Sequence, residues 1–170
     1  MPQYSHLHCH SQFSLLDGAA PIDDMFAKAK ADGQRAVALT DHGNMFGAFK
    51  FVSQAWKKTK VIGKDADGKD ILAPIVEPIV GCEFYVVKDR HIKQFTKEHK
   101  DDRFHQVLLA KNAAGYQNLI KLTSLGYIEG MYSKYPRIDK DLIEKYHEGI
   151  IATTCCIGAH VPQAILRDGE

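Results

Sequence analysis

The chain has 170 residues, 45% of them apolar and 25% charged, which fits one folded domain and excludes a disordered or low-complexity chain. Its 22 basic and 21 acidic residues leave a net charge of +1, against a general polyanion-binding surface. No apolar run approaches the ~18–20 residues of a membrane span and no signal peptide is visible, so no membrane partner and a cytoplasmic location are expected.

Strand-like runs alternate with helical patterns along the chain. Residues 3–9 read as a strand, followed by a turn at Asp17-Gly18. Pro21 suits a helix start, with Ile22, Met25, Phe26 and Ala29 at helical spacing and Gly33 placed to end it. Residues 35–40 form a short buried strand, and 45–58 return to a helical pattern. Asp67-Gly68 marks a hairpin or surface loop. Residues 79–87 follow as a strand, and 88–104 as a charged, solvated loop. A strand over 105–110, a helix over 112–126, a helix over 139–147, a strand over 149–154 and a helix over 160–167 complete the series. This alternation predicts a single α/β domain with a mostly parallel sheet, either a barrel or an open doubly wound fold.

Histidine is the unusual feature of the composition: nine are present, three of them within the first ten residues. On a strand His6, His8 and His10 would share one face, where imidazoles chelate one metal or a pair. A surface strand of solvated histidines is the competing reading, and a weaker one for a triplet. Asp41-His42-Gly43 follows a buried strand at an end where parallel α/β folds place chemistry, although Asp and Gly are also common turn residues. Glu83 lies among Ile79, Val80, Phe84 and Val86, and a buried carboxylate there needs either a metal or a salt bridge. His105 opens a strand, which sits awkwardly with a site at strand ends. Cys155-Cys156 offers thiol ligands, though buried cysteines are more often inert. The sequence has no EF-hand, no Gly-rich phosphate loop and no nucleophile elbow. The adjacent cysteine pair suits a reducing compartment.

Five stretches together resemble the polymerase-and-histidinol-phosphatase (PHP) superfamily, in particular the PHP domains of bacterial DNA polymerase III alpha subunits. They are HLHCHSQFSLLDGA at 6–19, ALTDHGNMFGAFKF at 38–51, PIVGCEFYV at 78–86, HQVLLAKNAAGYQNLIKLTSLGYIEG at 105–130 and YPRIDKDLIEKYHEGIIATTCCIGAHVP at 135–162. The likeness is nearly colinear over the whole chain. It implies a distorted (β/α)7 barrel with two or three divalent metal ions, Zn, Mn or Fe, and Mg for the parent polymerase. The implied metal ligands are His8, His10, Asp17, His42, Glu83, His105 and Cys156, with His6 and Asp41 supporting them from behind. Because the family completes its site with a later Asp-x-His, residues 1–170 are expected to be the N-terminal part of such a domain within a longer polymerase.

The resemblance implies a metal-dependent phosphoesterase within a DNA-directed DNA polymerase, acting as a 3′–5′ proofreading exonuclease or a pyrophosphatase. DNA, the rest of the polymerase chain and other replicase subunits, such as a separate proofreading exonuclease and a sliding clamp, are the implied partners. Arg137 and Lys111 are candidate phosphate contacts on chemical grounds. A non-catalytic module that docks a proofreading exonuclease is the alternative from another class. A histidinol-phosphatase-like enzyme is the third reading, and the polymerase-type runs at 126–130 and 135–139 count against it.

Overall fold

Ile22, Met25 and Ala29 lie on one stripe of α1 (Ile22–Ala31), and all three are buried. Gly33, at φ 71°, turns the chain out of that helix in a left-handed conformation that glycine adopts without strain. The structure is a computed structural model that describes residues 4–97 and 100–169. It is mixed α/β and divides into two compact units, one containing the chain up to Leu39 with Phe46–Val80, the other Thr40–Met45 with the chain from Gly81 onward.

In the first unit, β1 (Ala36–Leu39) is buried along its whole length and pairs in parallel with Glu77–Val80 of β4 (Glu77–Val86). α1 and α2 (Ala48–Ala55) pack there, with Phe26 against Phe51 at a centroid distance of 4.7 Å. Ile22, Met25, Val37, Leu39, Phe51 and Val76 form the core. The expected hairpin is present as β2 (Thr59–Lys64) and β3 (Asp70–Pro74), joined by a turn in which the Asp65 carboxylate accepts from the Asp67 and Lys69 amides.

The strand expected over 3–9 is not formed by its described residues. The described part of this segment meets β1 where the Ala38 N–H donates to the His6 carbonyl at 2.9 Å and the Ala36 N–H to Ser5 Oγ at 3.3 Å. The His6 N–H instead donates to the Gln34 side chain at 3.1 Å, so a side chain takes the place of a ladder partner.

In the second unit, Gly81–Val86 of β4 pair antiparallel with β5 (Phe104–Ala110) and parallel with the short β6 (Arg137–Ile138). β7 (Ile150–Ala152) lies antiparallel on the other side of β5. The sheet is therefore mixed rather than mostly parallel. α3 (Ala113–Ile128) starts at Asn112, whose side chain accepts from the Gly115 amide, and α4 (Lys140–Lys145) starts at Asp139, which accepts from the Leu142 amide. Both caps satisfy amides that a helix start leaves without intrahelical partners. α5 (His160–Asp168) follows β7. Cys82, Phe84, Leu108, Leu119, Leu122 and Ile138 make this core.

The charged segment expected to be a solvated loop is anchored from beneath. Arg137 has no exposed surface, and its Nη2 donates to the carbonyls of Arg90 (3.2 Å) and Ile92 (2.8 Å). Its Nη1 donates to Asp101 and its Nε to the Gly130 carbonyl, each at 2.9 Å. His91 is exposed as expected, whereas His99 lies outside the described residues.

Candidate functional site

The second unit gathers three of the expected ligands around a fourth, the Glu83 carboxylate. Glu83 is 1% exposed, and its Oε1 lies 3.0 Å from His42 Nδ1 and 2.8 Å from His105 Nδ1. Cys156 Sγ is 3.5 Å from the same His105 nitrogen. A buried charge of this kind needs compensation by ionic partners, hydrogen bonds or a metal.

Local structure explains each placement. The segment that follows β1 runs beside β4 as a parallel bridge: the Glu83 N–H donates to the Asp41 carbonyl at 3.1 Å, and the Gly43 N–H to the Glu83 carbonyl at 2.7 Å. Asp41, fully buried, thus supports the cluster through its backbone. Gly43 sits at φ 61°, and an added Cβ would lie 2.5 Å from the Pro136 ring, so the Asp-His-Gly turn requires its glycine.

The antiparallel direction of β5 resolves the position of His105. A residue that opens β5 lies beside the C-terminal end of β4, where it is the register partner of Tyr85. The His105 N–H donates to the Gly158 carbonyl at 3.0 Å, which draws the loop after β7 towards it.

Tyr85 is a part of the cluster that the sequence reading missed. It is two residues beyond Glu83 on the same strand, so it points to the same face. Its ring stacks on His42 at 5.9 Å and meets His105 edge-on at 5.5 Å. Tyr135 packs on Tyr85 at 5.0 Å, and the Arg103 guanidinium lies 3.7 Å from the Tyr135 ring centroid. The period-2 spacing from Glu83 was the signal available for Tyr85; nothing local marked Arg103.

The Glu83 hydrogen bond, against the opposing effect of burial, raises His105 to a pKa of about 9. Burial pushes the Cys155 thiol up to about 12, and drives the wholly buried Cys82 well above the thiol range. Cys82 is an inert core residue whose Sγ donates to the Asp41 carbonyl.

In the first unit, His8 and His10 bring their Nε2 atoms to 3.1 Å, and His10 Nδ1 is 2.9 Å from the hydroxyl of the fully buried Ser14. That second contact orients the ring and fixes which nitrogen faces His8. Asp17 ends the turn, its N–H donating to the Ser14 carbonyl at 3.0 Å, and its carboxylate reaches within 4.8 Å of a His10 ring nitrogen. An added Cβ at Gly18 would overlap the Ser11 carbonyl, so the Asp-Gly turn is sterically specified. His6 packs edge-on against Tyr4 at 5.1 Å.

The two expected phosphate contacts are placed otherwise. Arg137 is buried and occupied by protein acceptors. Lys111 follows the far end of β5, roughly 20 Å along the strand from His105 at ~3.3 Å per residue.

Imidazole nitrogen, carboxylate oxygen and thiol sulfur are the donors that zinc and related divalent ions take. A carboxylate buried between two imidazoles with a thiol alongside fits such ions. Fold and donor set together define a mixed α/β protein whose clustered His, Glu and Cys side chains could hold a metal ion. The chain belongs to the PHP domain family, whose sequence profile matches residues 6–170.

Among its relatives are DNA polymerase III alpha subunits of Borreliella burgdorferi, 47% identical over 169 residues, and Thermus aquaticus, 42% identical over 169 residues. Each match covers 98% of this chain, which spans 13% and 12% of those relatives respectively. A solved structure of a candidate metal-dependent phosphoesterase from Bifidobacterium adolescentis is 17% identical, with a TM-score of 0.43 over 74% of this chain and 35% of that one. No helix among the described residues is long and apolar enough to cross a membrane.

Proposed function

We propose that this chain is a metal-dependent phosphoesterase module of a DNA polymerase III alpha subunit. The observation that carries the reading is the convergence of His42, His105 and Cys156 on the buried Glu83 carboxylate. Similarity to the polymerase subunits supports the context, a replicase acting on DNA.

His8, His10 and Asp17 in one unit, and His42, Glu83, His105 and Cys156 in the other, are the proposed metal ligands. When bound, divalent ions at these donors supply Lewis acidity to a phosphate oxygen and lower the pKa of water towards neutrality. The residues' own part is to hold their donors in place. Ser14 orients His10, the Asp41 and Gly43 backbone aligns His42 with Glu83, and Tyr85 packs both His42 and His105. Arg103, held over Tyr135 and paired with Asp101 at 2.6 Å, rather than the buried Arg137, is the phosphate contact. The substrate is a phosphodiester at a DNA 3′ terminus, which makes the module a proofreading exonuclease working in the cytoplasm.

The test is Mn²⁺- or Zn²⁺-dependent release of 3′ nucleotides by the full chain, with His10→Ala and Glu83→Gln beside it and metal content measured on each. Both variants should lose bound metal and hydrolysis together. Undiminished hydrolysis in either variant would sink the reading.

A further inference from the structure

We propose that Cys155 is a second thiol ligand beside Cys156, so that the loop after β7 presents a vicinal dithiol selective for a thiophilic divalent cation of the zinc class. The inference rests on the metal reading above and extends its ligand set by one residue. The two sulfurs lie 3.9 Å apart. Two sulfurs bound at 2.3 Å to one tetrahedral ion are separated by about 3.8 Å. The Cys156 Sγ to His105 Nδ1 distance is 3.5 Å. A sulfur and an imidazole nitrogen on the same tetrahedral ion lie about 3.6 Å apart by the same geometry. Both distances therefore match edges of a tetrahedral site.

Glu83 supplies the fourth donor, with a carboxylate oxygen, Cys155 Sγ and Cys156 Sγ all lying within 4.8 Å of one another. One edge departs from the ideal: Glu83 Oε1 and His105 Nδ1 are at 2.8 Å, a hydrogen-bonding distance, and must separate by about half an ångström around an ion. The resulting donor set is two sulfurs, one nitrogen and one oxygen. Thiolates favour zinc over Mn²⁺ or Mg²⁺, which prefer oxygen, so the second thiol makes this position selective.

A further observation separates Cys155 from an ordinary loop residue. Its φ is 60°, in the left-handed region where glycine is favoured and a β-carbon is strained. The backbone is held there by the Cys155 N–H donating to Thr153 Oγ1 at 3.0 Å. The sequence thus places a thiol at a backbone position suited to glycine, and its sulfur lies 3.9 Å from its neighbour's.

Co²⁺ is the probe, because cobalt bound to thiolate shows a near-ultraviolet charge-transfer band whose intensity grows with the number of sulfurs. Titrate the full chain with Co²⁺, then displace it with Zn²⁺ and separately with Mn²⁺. The variants are Cys155→Gly, which suits the backbone, Cys155→Ser as a second replacement, and Cys156→Ser. In wild type the band should saturate and yield to Zn²⁺ far more readily than to Mn²⁺. In Cys155→Gly and Cys155→Ser the band per bound cobalt should fall to about half, and zinc affinity should fall at least tenfold, about 1.4 kcal/mol. A full-intensity band with unchanged zinc affinity in both Cys155 variants would overturn the dithiol while leaving the metal reading intact. A wild-type chain that takes up no cobalt overturns both.

Discussion

Replacing Arg137 separates a structural cation from a substrate-binding one. Its guanidinium is completely buried, with bonds to the Asp101 carboxylate and the carbonyls of Gly130, Arg90 and Ile92, and its face meets Phe95 at 5.5 Å and Tyr132 at 5.1 Å. Arg137→Ala leaves three carbonyls without this donor and Asp101 with only its Arg103 partner. Breaking a buried ion pair on one side costs about 3–5 kcal/mol, and each orphaned acceptor adds to that cost. For a chain of this length the midpoint of thermal unfolding should drop by roughly 6–20 °C.

Hydrogen exchange should show amides around 90–92 losing protection before the rest of the second unit, because two of the four bonds hold that segment. Arg137→Lys should recover little, since one ammonium cannot reproduce a planar fork spanning four acceptors. If both variants unfold within about 1 kcal/mol of wild type while losing affinity for a 3′-phosphodiester, the structural assignment is wrong.

The Arg90–Asp139 pair gives the acid side of the stability curve. Partial burial alone would raise Asp139, but hydrogen bonds from Arg90 and the Leu142 amide hold its carboxyl below the usual range. A depressed folded pKa stabilises above the unfolded value of 3.8 and is lost as pH falls through the folded one. Urea midpoints should therefore be insensitive to this group from pH 5 to 8 and fall below about 4, and Arg90→Ala should flatten that acid-side fall. In EDTA, Cys155→Gly should stabilise the chain by about 1 kcal/mol through relief of the left-handed β-carbon, read from the urea midpoint. Asn112→Ala should cost about 1 kcal/mol by removing the cap of α3, and Gly115→Ala should cost more in the same melt because its Cβ would overlap the Gly149 carbonyl.

What the sequence determined by itself was the order and type of most elements, and the residue types of the donor set. Helical spacing in 22–29 and the apolar runs at 36–39 and 104–110 report burial that depends on a residue's own position, so a local pattern suffices to read them. The two-residue β6 was too short to leave such a pattern. Direction was decided only in three dimensions. The 17 residues between β4 and β5 are long enough for a parallel or an antiparallel return, and the antiparallel one sets His105 beside Tyr85.

Arg137 shows the same limit: a charged residue next to Ile138 reads as exposed, and the acceptors that permit its burial come from Arg90, Ile92, Asp101 and Gly130, which the fold brings around it. The strand expected over 3–9 is not formed because a local pattern encodes a face but not a partner, and Gln34 takes the His6 amide. Residue spacing records how the chain meets its own local environment; pairing, direction and burial of charge depend on what the rest of the chain brings alongside.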